Sequence, residues 1–347
     1  MKVAFCCDAG RATGNGQMLR CLALADALKA LGATCIFLCH DAPDAIAGQI
    51  MAAGHRIETL LSQNPMIYRD RDSLEQEDAA ACLKALPGRV DWLVVAHVAL
   101  GPVWETAMRP AARRILAVDT LARFHDCDIV FDQTHGRDPA AYEPFVPKSC
   151  EVLCGARDAW MRSEFAATRA TSLPRRRDPH SLRRILISFG HGEFSGVLIA
   201  ALYCVDKLPG IEVRAIRGGC RHLSGLDLIS YPLELLDTVD NMAEHLAWAD
   251  LAIGASNSSV WERACLGVPS INVPLNGHQD LNASNTALAG WAWSMGRDDL
   301  MKKAHDLLLP LCRENPILSR MSTAAASVVD GLGAQRWAER MMKESEG

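Results

Sequence analysis

No stretch of this chain reaches the roughly 18 to 20 uninterrupted apolar residues that a bilayer crossing needs. The opening residues, Met1 to Phe5, run straight into polar Asp8 without the apolar core of a secretory signal. A cytoplasmic protein is the expectation. A basic excess is also missing: the formal charge is −5 and the pI about 6.1, which argues against a surface that tracks nucleic-acid phosphates. The one basic run, Arg175-Arg176-Arg177 followed by Arg183-Arg184, is punctuated by Pro174, Asp178 and Pro179 and reads as a solvated linker. Low-complexity tracts and short repeats are absent. The 13 cysteines are an odd number, mostly set in apolar segments such as those around Cys35, Cys204 and Cys265, where Cys packs as a small hydrophobe. Cys35-x-x-x-Cys39-His40 and Cys150-x-x-x-Cys154 lack a second pair at ligand spacing, so no metal and no cofactor are expected.

At 347 residues, 49% of them hydrophobic, the chain is long enough for two packed cores rather than one. Val3 to Cys6, Thr34 to Cys39, Trp92 to Val95 and Ile115 to Val118 read as buried strands. Between the first three lie segments with 3.6-period apolar faces, such as the helix from Cys21 to Leu31. A second series starts at Arg184 to Ser188 and continues through a helix from Val197 to Lys207 and a strand from Ile211 to Ile216. Leu228 to Tyr231 is a third candidate strand, Met242 to Trp248 a helix, Leu251 to Ile253 and Pro269 to Val273 further strands. Such alternation predicts two doubly wound parallel-sheet α/β domains facing a cleft, with ligands at the carboxyl ends of the strands. The expected boundaries are 1–165, a linker at 166–183, and 184–347, the last helix candidate being able to pack on either domain.

Two loops carry chemistry. After the first strand comes Thr13-Gly14-Asn15-Gly16-Gln17-Met18-Leu19-Arg20, a glycine loop in the usual place for cradling a ligand, with Gln17 where a catalytic side chain would sit. Further on, Gly254 to Glu262 passes from a strand through a small-residue turn into the helix Val260-Trp261-Glu262-Arg263. There, backbone N–H groups at a helix start and the hydroxyls of Ser258 and Ser259 suit a pyrophosphate, and Glu262 suits ribose hydroxyls; an ordinary serine-capped helix is the alternative. Gly277-His278-Gln279-Asp280-Leu281-Asn282 follows one strand–helix unit later and should neighbour this loop. His191, beside Gly190, and His278 are either phosphate contacts or structural.

The order of several segments matches a family: Gly-x-Gly-x-x-x-Arg, His125-Asp126-Cys127-Asp128 with Asp132-Gln133, Tyr142-x-x-x-Val146-Pro147, Cys154-Gly155-Ala156-Arg157, Ile187-Ser188-Phe189-Gly190 and Trp261 to Ser270. Over Met1 to about Asn285 the chain resembles the PseG family, UDP-sugar hydrolases of pseudaminic acid biosynthesis, which resemble MurG-type glycosyltransferases in their GT-B fold. The resemblance implies a hydrolase that removes UDP from a UDP-2,4-diacetamido-2,4,6-trideoxyhexose by attack of water with inversion. It implies a UDP-sugar as partner, alongside other enzymes of the sugar pathway. Gly254, Ser258, Ser259, Glu262, Gln279 and Asn282 sit where the family has its nucleotide loops, and Gly14, Gly16, Arg20 and Gly190 where it has substrate loops. The catalytic positions depart from the family pattern. Gln17 replaces its His, Ala96-His97-Val98 its Asp-His-Tyr, Asp119-Thr120 its Asp-Asp, and Phe189 to Phe194 its Met-Gly-Gly-x-Asp-Pro. A carboxamide cannot take a proton near neutral pH. Asp8, His97 and Asp119, each at a strand end, are the substitute bases; their alternative roles are a loop cap, a hydrogen-bonded strand end and a turn brace. A glycosyltransferase on the same fold, or a UDP-sugar binder without catalysis, are the competing readings.

Overall fold

The computed structural model describes residues 1–9, 14–60 and 70–345. The chain forms two units, Met1–Trp160 with Gly333–Gly347, and Met161–Leu332. The first is built on seven strands: β1 (Lys2–Cys6), β2 (Thr34–Cys39), β3 (Arg56–Thr59), β4 (Val90–Val95), β5 (Ala112–Val118), β6 (Ile129–Asp132) and β7 (Glu151–Cys154). They pair in parallel in the order β3-β2-β1-β4-β5-β6-β7. Parallel strands are covered on both faces, which is why their sequences are apolar runs rather than alternations. Val3 and Phe5 point into one core with Phe37, Trp92 and Phe131. Ala4 and Cys6 point into the other, with Leu93, Ile115 and Trp104. Helices α1 (Gly16–Ala30), α2 (Asp44–Ala52), α3 (Arg71–Ala85) and α4 (Pro102–Met108) supply the coverings. Helix α1 starts five residues before the expected Cys21, so Gly16, Gln17 and Arg20 belong to its first turns and the glycine loop is shorter than its composition suggests.

The second unit repeats the plan with β8 (Arg184–Ser188), β9 (Glu212–Ile216), β10 (Leu233–Leu236), β11 (Leu251–Ala255), β12 (Ser270–Val273) and β13 (Ala292–Ser294), ordered β10-β9-β8-β11-β12-β13 and all parallel. Its helices are α5 (Ser163–Ser172), α6 (Ser195–Cys204), α7 (Met242–Trp248), α8 (Ser259–Cys265), α9 (Asp280–Leu288), α10 (Arg297–Leu308) and α11 (Pro316–Ala326). The expected strand at Leu228 to Tyr231 lies instead at β10. Gly225, at φ +76°, opens a 3₁₀ turn over Leu226–Leu228, and Pro232, which has no N–H for a ladder, stands just before the strand. The last helix, α12 (Gly333–Ser345), belongs to the first unit, where Trp337 packs 4.8 Å from Phe131.

The stretch 166–183, expected as a linker, lies inside the second unit, and its arginines are not simply solvated. Arg176 is 1% exposed. Its guanidinium donates to the carbonyls of Ala249 (2.6 Å), Leu246 (3.0 Å) and Ala247 (3.1 Å). Arg175 donates to the carbonyl of Trp248 at 2.7 Å and to Asp250 at 2.5 Å. Together they satisfy the orphan carbonyls at the end of α7 and place positive charge at its negative end. Replacing Arg176 by Ala removes three buried bonds from a charged donor and empties the space the guanidinium fills, leaving the carbonyls only the donors from Arg175 and the Ala249 N–H. We expect Arg176→Ala to cost about 2–4 kcal/mol in urea unfolding, against less than about 0.5 kcal/mol for exposed Arg177→Ala. Equal costs would show that the cap contributes nothing.

Candidate functional site

In each sheet the strand order reverses beside the first strand, and the loops leaving the two central strands diverge there. In the first unit this point lies between β1 and β4, and it brings two predicted residues together. Asp8, after β1, accepts from His97 Nε2, after β4, at 3.1 Å. The other Asp8 oxygen accepts from the backbone N–H of His40 at 2.8 Å and of Asp41 at 3.3 Å. His97 Nδ1 accepts from the Ala99 N–H at 3.2 Å, a bond that assigns the ring proton to Nε2. Both ring nitrogens of His97 are thereby engaged, one with Asp8 and one with the Ala99 N–H. Burial pushes the Asp8 carboxyl up, but the bonds from His97 and the His40 N–H outweigh it and hold it below its usual range. Asp8 is an ionised, oriented, partly exposed carboxylate.

The other predicted residues of this unit fall differently. Gly14, at φ +69°, makes the turn ahead of α1. Gly16, Gln17 and Arg20, all half-buried, lie on the helix itself. Thr13 lies outside the described residues. Asp119 is buried, and its oxygens accept from the Leu121 and Arg123 N–H groups, Arg123 Nε (2.9 Å) and the Tyr142 hydroxyl (3.1 Å). Fully occupied, it braces its turn. It belongs to a buried network that the sequence order did not separate from the catalytic positions: His125 lies 2.7 Å from Glu105 and 3.7 Å from Asp119, and Tyr142 shares its one hydroxyl proton between Asp119 and Asp132, which pairs with Arg137.

Burial disfavours the His125 imidazolium, but Asp119 and Glu105 outweigh it and raise its pKa to about 9. A group raised in the folded state stabilises fully below its unfolded pKa, near 6.5, and loses that contribution as pH rises through 9. Unfolding free energy should therefore fall by on the order of 3 kcal/mol between about pH 6.5 and 9.5. The decline should be flattened in His125→Gln, and an unchanged slope in that variant would contradict the assignment.

In the second unit the reversal lies between β8 and β11. A Cβ on Gly254 would meet the Ser188 carbonyl oxygen at 2.4 Å, and one on Gly190, at φ +83°, would touch the Asn257 amide at 3.4 Å. Gly254 leaves no room for a side chain between β11 and β8, and the left-handed backbone at Gly190 favours glycine. Gln279 Oε1 accepts from the N–H groups of Ser256 (3.2 Å) and Leu275 (3.1 Å), and the Asn282 amide donates to the Ser256 carbonyl at 3.3 Å. The two predicted loops are thus neighbours, as their spacing implied, with Gln279 and Asn282 as the ties between them. The Ser259 hydroxyl donates to Asn257 (2.8 Å) and accepts from Arg263 (2.8 Å), so it shapes the loop. Ser258 stands at the N-cap of α8 without a side-chain cap bond. Glu262 lies 3.5 Å from Arg162. His191 and His278 are exposed. Arg263, 3% exposed, was not singled out in the sequence. It holds the loop from beneath through Ser259, the Ala255 carbonyl (2.7 Å) and Asn272 (2.9 Å); its spacing four residues after Ser259 was the available signal.

Two parallel α/β units with this pair of strand orders define the GT-B fold. Residues 221–337 match the glycosyltransferase family 28 C-terminal domain. The chain is similar to the UDP-N-acetylglucosamine--N-acetylmuramyl-(pentapeptide) pyrophosphoryl-undecaprenol N-acetylglucosamine transferase of Haemophilus ducreyi, 31% identical over 142 residues, which is 39% of this chain and 40% of that protein. It thus matches only about two-fifths of that relative's length. Among solved structures, MurG of Acinetobacter baumannii superimposes with a TM-score of 0.68 at 17% identity over 99% of both chains. LpCGTa in complex with UDP superimposes at 0.68 and 13% identity, over 100% of this chain and 99% of that one. Among the described residues no helix is long and apolar enough to cross a membrane.

Proposed function

We propose that the protein is a UDP-sugar hydrolase of the PseG type, releasing UDP from a UDP-2,4-diacetamido-2,4,6-trideoxyhexose on the route to a nonulosonate such as pseudaminic acid. The observation that carries this reading is the Asp8–His97 contact across the strand-order reversal. Asp8 takes a proton from water as the water oxygen bonds to the anomeric carbon; the bond from that carbon to the diphosphate oxygen breaks, and UDP leaves. His97 keeps Asp8 oriented and anionic, so the chain does without the imidazole that Gln17 replaces. The second unit supplies the nucleotide site through Gly190 and, within the segment that matches the family 28 domain, through Gly254, Ser258, Glu262 and the loop tied by Gln279 and Asn282. Backbone N–H groups there stabilise the departing charge.

The resemblance of that segment to transferases favours a second reading, in which a sugar or lipid hydroxyl replaces water as acceptor. UDP release from the diacetamido UDP-sugar, measured without acceptor, distinguishes the two. Under the first reading release is acceptor-independent and falls about 10²- to 10⁴-fold in Asp8→Asn with UDP binding by calorimetry retained; His97→Ala loses less. Because Asp8 sits below the usual carboxylate range, turnover should stay flat from about pH 8 down to pH 5, whereas an imidazole base would lose rate below about pH 6.5. UDP binding without release sinks the hydrolase, and failure to bind UDP sinks both readings.

A further inference from the structure

We propose that the first unit carries a site for one zinc-class divalent ion on Cys6, Asp78 and Cys82. Cys6 ends β1, and Asp78 and Cys82 stand one turn apart on α3, so their side chains share a face of that helix. One ligand atom from each of the three lies within 4.8 Å of the others. Cys82 Sγ is 3.5 Å from Asp78 Oδ1. A tetrahedral ion with bonds of about 2.3 Å to sulfur and 2.0 Å to oxygen holds its S and O ligands about 3.5 Å apart, so the ion fits where the Cys82 thiol proton now points. Two sulfurs out of three donors select a borderline-soft ion over calcium or magnesium.

The carboxylate is oriented from outside the set, as ligands of bound ions are. The Trp104 indole N–H donates to Asp78 Oδ1 at 2.7 Å, and His40 Nε2 lies 2.5 Å from Asp78 Oδ2. Both cysteines are buried, at 5% and 0% exposure, while Asp78 and His40 are partly exposed and leave the ion a way in. Binding expels two thiol protons and leaves two thiolates and a carboxylate on the ion, with water in the fourth position. The ion would clamp α3 to the end of β1. The site does not depend on how Asp8 is read.

The test uses the full chain, stripped with chelator and titrated with Co²⁺ and then Zn²⁺. We expect one Co²⁺ per chain, a thiolate-to-cobalt absorption band in the near ultraviolet that Zn²⁺ abolishes, and partial quenching of the tryptophan fluorescence. Cys82→Ser should lose the band, Asp78→Asn should bind about 10-fold more weakly or worse, and Cys204→Ser, in the second unit, should match the parent. Asp78→Asn keeps both thiols and decides the matter if Cys82→Ser does not fold by circular dichroism. No band at one equivalent, binding undiminished in Asp78→Asn, or a Cys6–Cys82 disulfide found by mass spectrometry would each overturn the proposal.

Discussion

A parallel strand reaches its neighbour through a crossover, usually a helix, although β5 to β6 here needs none. A sheet that begins in its middle must therefore wind outward one way and then the other. In both units the reversal falls beside the first strand, at β1/β4 and β8/β11, and the loops on either side are carried to opposite faces. The gap they leave is the one place on a covered sheet where side chains from strands distant in sequence can meet without a helix above them. Asp8 and His97 meet in one such gap, and Gly190 and Asn257 in the other.

Next to the first gap, Glu105, Asp119 and Asp132 are balanced by His125, Arg123 and Arg137, with Tyr142 bridging two of the carboxylates. Three negative and three positive groups remove one another's cost of burial, provided each lone pair finds a donor. Such a network has no slack: loss of one member strands another in a medium that cannot solvate it. It fixes the turns after β5 and β6 and so the rim from which the functional loops depart.

The strands of both sheets were legible where they lie at the centre, because burial on both faces demands apolar runs such as Val3 to Cys6 and Leu251 to Ile253. The edges were not. Arg56-Ile-Glu-Thr59 is half-exposed and polar, and β13 has three residues, too few for any pattern. Asp8 and His97 could each be chosen as strand-end groups, but their bond depends on which strands adjoin, and no local pattern encodes that. The same limit made Asp119 look like a catalytic candidate, since a carboxylate after a strand reads alike whether it faces solvent or four donors. The arginines at 175 and 176 read as linker because the carbonyls they cap belong to a helix about 70 residues away. Cys6 and Cys82 escaped any spacing rule for a similar reason.

Helix α12 completes the core on one face of the first sheet: Trp337, Ala338 and Met341 pack with Phe5, Trp92 and Phe131, and the Trp92 indole donates to Ser345 at 3.0 Å. In synthesis this helix appears only after the whole of Met161–Leu332, a delay of roughly tens of seconds at ~5–20 residues per second. Until then the first unit lacks the helix that covers this aromatic face, whereas the parts of the second unit are contiguous in the chain. The first unit, begun first, is thus the later of the two to have all its parts.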